Sequence, residues 1–96
     1  MSFMSHLDIM VSRVDHAARC AVAQCRDSHE RWYAIRNAAY RALHRQGVPK
    51  ADAFNIACRY SLGTWEFAEW RANWEGAYIA LGEDLMDLVI LGVIEI

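Results

Sequence analysis

Neither glycine nor proline occurs before Gly47. Across that stretch apolar residues recur at alternating steps of four and three: Leu7, Val11, Val14, Ala18, Ala21, Cys25, then Trp32, Ile35, Ala39 and Ala42, with only Ser28 interrupting the phase. Such steps return side chains to one face of an α-helix. The spacing predicts a single long helix from about Ser5 to Gln46, with a heptad seam along one side. At ~1.5 Å per residue it would be roughly 60 Å long, more than the width of a compact domain of this size. The seam is rich in alanine. A partner helix can approach it closely, but it is too weakly hydrophobic to hold a two-stranded coiled coil alone.

A competing signal lies inside the stretch. "DSHE", Asp27 to Glu30, has the form of a capping box, with an Asp N-cap and a Glu three residues on. It would divide the segment into two helices meeting near Arg26. A hairpin there needs a loop, and "QCRDS" offers no residue that readily takes a positive φ. The expectation is therefore a continuous or merely kinked helix.

Beyond Gln46 the punctuation is denser. Gly47 suits the left-handed C′ position and Pro49 the first turn of a new helix. Helix two is expected from about Pro49 to Ser61, burying Ala53, Phe54, Ile56, Ala57 and Tyr60, and stopped by Gly63. Thr64 then N-caps helix three, with Phe67, Trp70, Trp74, Ala77, Tyr78 and Leu81 as its apolar stripe and Gly82 as its end. From Leu88 to Ile96 only Gly92 and Glu95 are not large aliphatic residues. Glu83, Asp84 and Asp87 suit a helix N-terminus, so this tail is expected to be a helix buried on most sides. Strand pairing between chains is the alternative, because no partner strand exists elsewhere in the sequence. The tail is too short to span a bilayer, which takes ~20 apolar residues.

Ninety-six residues make one domain with a modest core. Yet 55% of them are hydrophobic without counting glycine, against a usual ~45–50% with glycine included. That excess suggests surface covered by a second chain. Leu88, Val89, Ile90, Leu91, Val93, Ile94 and Ile96 are the candidate oligomer interface, most simply of a homodimer. Net charge is −2, which favours neither bulk nucleic-acid nor membrane binding. The halves differ: residues 1–50 carry eight Lys and Arg against four acids, whereas residues 51–96 carry two Arg against eight acids. The two halves are suited to pack on each other, within or between chains. An odd set of cysteines, Cys20, Cys25 and Cys58, in helix-compatible surroundings points to reduced thiols and a cytoplasmic protein. The start "MSFMSHLD" lacks the basic and apolar regions of a signal peptide.

The sequence holds no defensible catalytic, cofactor or metal motif. His16 and Cys20 are four apart, as are Cys25 and His29, but Cys20 and Cys25 point about 140° apart on an ideal helix. "VDH" and "DSHE" put acids beside His and Ser, and helix neighbours do not face one another. A helix-turn-helix is conceivable over "AYRALHRQGVPKADAFNIACRY", with Lys50, Asn55 and Arg59 as contacts, but the acidic helix that follows would be repelled by phosphates.

The aromatic run is the most unusual local feature. Trp65, Phe67, Trp70, Trp74 and Tyr78, with Arg71 among them, are the candidate partner-binding residues. Trp and Tyr give large contact area at low entropic cost and are typical of binding hot spots. The same patch would stack on a nucleobase, with Arg71 near a phosphate, if the ligand were nucleotide-like. The segment Tyr40 to Tyr60, "YRALHRQGVPKADAFNIACRY", resembles parts of short phage and prophage accessory proteins, anti-CRISPR proteins among them. The resemblance implies a protein that binds and blocks a host protein, and it carries no functional residue with it. The expectation from sequence is a small all-α helical bundle with one long N-terminal helix, oligomeric, working by protein–protein contact.

Overall fold

The computed structural model describes residues 3–65 and 70–95, with side chains described for 6–27, 30–64 and 74–95. Among the described residues there are four α-helices and no strand: α1 (Phe3–Ala23), α2 (Ser28–Arg45), α3 (Lys50–Trp65) and α4 (Trp70–Ile90). Each helix packs on the next, and α1 closes on α4. Contacts along each pair fix the directions, and on α3 and α4 the run from Gly63 beside Ala77 to Arg59 beside Asp84 moves opposite ways along the two helices. Gln46 Nε2 donates to the Met10 carbonyl at 3.3 Å, and Ser61 Oγ donates to the Trp32 carbonyl at 2.7 Å. Arg59 pairs with Asp84 at 3.1 Å, and Arg19 lies over the Trp74 ring at 4.6 Å. Neighbours are thus antiparallel all round, in the up-down-up-down bundle that short loops favour.

The single long N-terminal helix is corrected. The chain reverses at residues 24–27, and its extents of 38 × 24 × 19 Å leave no room for a helix of roughly 60 Å. The capping box governs here. Asp27 Oδ1 accepts from the Glu30 amide at 2.9 Å, and Glu30 Oε2 accepts from the Arg26 amide at 3.3 Å. No non-glycine residue among those described has a positive φ, so the reversal is made without one. Tight bonds from Gln24 to Ala21 and from Cys25 to Val22 close α1 instead. The unbroken heptad phase survives because both stripes face the same core: Leu7, Val11, Val14 and Ala18 on one side of the turn, Ile35, Ala39 and Ala42 on the other.

The remaining boundaries also shift. Neither Gly63 nor Gly82 ends a helix. Gly63 lies inside α3 where an added Cβ would stand 3.6 Å from that of Ala77, so it marks close approach of α3 and α4. Thr64 is not an N-cap: it is buried within α3, and its hydroxyl donates back to the Ser61 carbonyl at 2.8 Å. From Trp70 to Ile90 the second part of the aromatic run and the first part of the tail form one helix, α4, through Gly76 and Gly82.

Two helix ends share a device. After α2, Gly47 at φ 96° lets its amide reach His44 O and the Val48 amide reach Leu43 O. After α4, Gly92 at φ 75° does the same with Val89 O, and Val93 with Leu88 O. Both are Schellman closures, and each turns an aliphatic residue back onto the core. Val48 is 1% exposed and Ile94 is 7% exposed. No helix among the described residues is long and apolar enough to cross a membrane.

Candidate protein-binding site

The outer face of α2 holds Tyr33, Arg36 and Tyr40 at spacings of three and four, with Trp32 beside them. Phe54 of α3 faces them across the α2–α3 seam. The Arg36 guanidinium carbon lies 5.1 Å from the Trp32 ring centre, 5.1 Å from Tyr33 and 5.6 Å from Phe54. These are cation–π distances. Its Nε and Nη2 donate to Asn37 Oδ1 at 3.3 and 3.2 Å. The rings brace one another edge to face, Trp32 with Tyr33 at 4.7 Å and Tyr40 with Phe54 at 6.3 Å. Tyr33 remains 53% exposed and Phe54 47%. The result is a cation held in a partly dehydrated frame of aromatic rings at the surface.

This patch is not the one read from the sequence. The sequence pattern puts Phe54 on the buried face of its helix, yet it is exposed. The same pattern puts Trp32 on the seam, yet it is only half-buried. The pattern "RWYAIRNAAY" carries the signal, because Arg36 sits one helical turn from Trp32, Tyr33 and Tyr40.

Of the expected aromatic patch, the side chains of Trp65, Phe67, Trp70 and Arg71 lie outside those described. Trp74 is 9% exposed, in the core beside Tyr60, which leaves its ring little surface for a partner. Tyr78 is half-buried, its hydroxyl 2.8 Å from Ser12 Oγ. Among the expected interface residues, Leu88 and Ile94 lie in the chain's own core at 8% and 7% exposure. Val89 is half-buried, Ile90 and Leu91 are 74% exposed and Val93 is 40% exposed. Ile96 lies outside the described residues.

Cys20 Sγ is 3.5 Å from His16 Nε2, while Cys25 donates to the Ala21 carbonyl. Among the described residues no three His, Cys, Asp or Glu side chains gather to hold a metal. Helices α2 and α3 lie side by side, with Trp32 near Ser61 at one end and Tyr40 against Phe54 further along. No family model, curated protein or solved structure matches the chain.

Proposed function

We propose that this protein is a protein-binding module that acts by covering a surface of another protein. The observation that carries the reading is Arg36 framed by Trp32, Tyr33 and Phe54 on an accessible helix face. Interface hot spots are enriched in Trp, Tyr and Arg. A matching partner surface presents an apolar anchor for the rings and a carboxylate for the guanidinium. The likeness of Tyr40 to Tyr60 to phage accessory proteins supports a host protein as the target and inhibition as the outcome. Tyr40 and Phe54 lie in both that segment and the patch.

The test is affinity capture from a bacterial lysate with the wild-type chain and with the Arg36→Ala and Tyr33→Ala/Phe54→Ala variants. The wild type recovers one protein at equal stoichiometry, and the variants, still helical and thermally stable, lose it. Equal recovery by all three would refute the reading.

The proposal includes self-association through the end of α4. Ile90 and Leu91 at 74% exposure are the reason, since large aliphatic side chains gain ~1.5–3 kcal/mol each on full burial. The three free cysteines fit a reducing, cytoplasmic setting.

A further inference from the structure

The opposite side of the bundle carries a second surface of different chemistry. Between α1 and α4 runs an open groove of about 660 Å³. Leu7 and Val11 form its floor on the α1 side, Ile79 and Met86 its apolar wall on the α4 side. Gly82 lies between Ile79 and Met86, so the middle of that wall has no side chain to fill it. Ile79 is 56% exposed although the groove beside it is apolar. Tyr78, held to Ser12, marks one end. The rim is acidic on both sides: Asp8 on α1, Glu83 and Asp87 on α4, all exposed, with no Lys or Arg among the lining residues.

We propose that this groove binds a basic amphipathic helix of a partner protein. A trough between two antiparallel helices has the shape of a third helix, and from Tyr78 to Asp87 it runs for about 13 Å, between two and three helical turns. Two or three large aliphatic side chains at i, i+3 or i+4, and i+7 fill the space over Gly82 between Ile79 and Met86. Lys or Arg on both flanks meets Asp8 on one side and Glu83 with Asp87 on the other. The charge pattern selects this occupant over a second copy placed groove to groove. A two-fold contact would bring six carboxylates, three from each chain, into one interface with no cation among the lining residues. Like charges brought together at an interface cost several kcal/mol. The surface lies across the bundle from Arg36, so the proposal stands apart from the α2–α3 patch.

The test is fluorescence anisotropy with a labelled peptide of about four helical turns, built from Leu and Lys with all Leu on one face. A peptide of the same composition in scrambled order separates helix recognition from plain charge attraction. Glu83→Lys and Ile79→Ser change exposed groove positions and spare the core. Glu95→Lys makes the same charge change outside the groove. Circular dichroism and thermal melting confirm that each variant folds. The patterned peptide is expected to bind at 0.15 M salt, with affinity falling about tenfold in Glu83→Lys and severalfold in Ile79→Ser, and unchanged in Glu95→Lys. The proposal is overturned if the patterned peptide does not bind, if the scrambled peptide binds equally, or if Glu95→Lys weakens binding as much as Glu83→Lys. A dimer that dissociates on Glu83→Lys would overturn it as well, because a second copy would then hold the groove.

Discussion

The Tyr60 hydroxyl donates to Asp15 Oδ1 at 2.7 Å, joining α3 to α1, two helices that do not pack side by side. Arg19 Nε occupies the other oxygen of the same carboxylate at 2.8 Å, and its guanidinium covers the Trp74 ring. One carboxylate therefore ties α1, α3 and α4 across the diagonal of the bundle. Hydrogen bonds of this kind fix how helices seat as well as how firmly, because a buried polar group left unpaired is costly.

Replacing Tyr60 by Phe is expected to cost ~1.5–3 kcal/mol at neutral pH, the range for a hydrogen bond to a charged group. Burial first, then the bond to Asp15 and its negative charge, push the Tyr60 hydroxyl far above its ordinary value. The unfolded chain releases this proton near pH 10, whereas the folded chain keeps it. The stability that Tyr60 contributes is thus complete below about pH 10 and declines as pH rises beyond it. Urea denaturation of both proteins should show their difference shrinking between pH 9 and 11, values chosen to bracket the ordinary tyrosine pKa of about 10. A constant difference would remove the role assigned to this hydroxyl.

Asp27→Ala removes the acceptor for the Glu30 amide at the start of α2. The expected cost is ~1 kcal/mol, typical of a lost N-cap. Asn at the same position should restore most of it, since its side-chain oxygen accepts the same bond. An unchanged denaturation midpoint in Asp27→Ala would mean that the turn is held by the closing bonds of α1 alone.

Much of the fold is legible from side-chain period, and the misreadings share a cause. The seam from Leu7 to Ala42 names the core faces of α1 and α2, but Trp32 follows Cys25 at a step of seven, so a hairpin and a continuous helix keep the same phase. Only the capping box distinguishes them locally. Gly63 and Gly82 look like stops, yet both lie inside helices, because packing against Ala77 and Val11 outweighs a propensity cost of ~1 kcal/mol. Gly47 and Gly92 do end helices, and in each case an aliphatic residue follows that folds back onto the core. The Arg36 patch was hidden because Phe54 approaches it from α3, a neighbour that only the tertiary pairing of α2 and α3 supplies.

The glycines divide into two classes by backbone, and substitution separates them. Gly76 is helical, and an added Cβ there would meet nothing within 4 Å. Gly76→Ala should stabilise the chain by ~0.5–1 kcal/mol through helix propensity. Gly47→Ala and Gly92→Ala keep the left-handed φ and should each destabilise by ~1–2 kcal/mol. Thermal unfolding checks the signs directly. A gain from Gly92→Ala would show that the closure at the end of α4 is dispensable.

Ile90 and Ile94 are four residues apart in an aliphatic run, yet the structure gives them opposite surroundings. Ile94 is 7% exposed because Gly92 turns the chain back over Leu88, so this one side chain is covered by its own chain. Ile94→Asp places an unpaired charge in the core, at a cost of several kcal/mol, and should leave the protein unfolded or aggregated. Ile90 is 74% exposed. In the isolated chain Ile90→Asp meets the negative end of the α4 dipole and the like charge of Asp87 one turn back, together a penalty of about 1 kcal/mol. The fold should survive it, while an interface that buries Ile90 against Leu91 and Val93 of a second copy should not. Light scattering at micromolar concentration is expected to give a dimer for the wild type and a folded monomer for Ile90→Asp. A standard interface buries about 800 Å² on each partner, so the three aliphatic residues serve as its centre and need polar surroundings to complete it. A wild-type chain that remains monomeric and well folded at high concentration would show that the exposed tip of α4 is left for a different protein to cover.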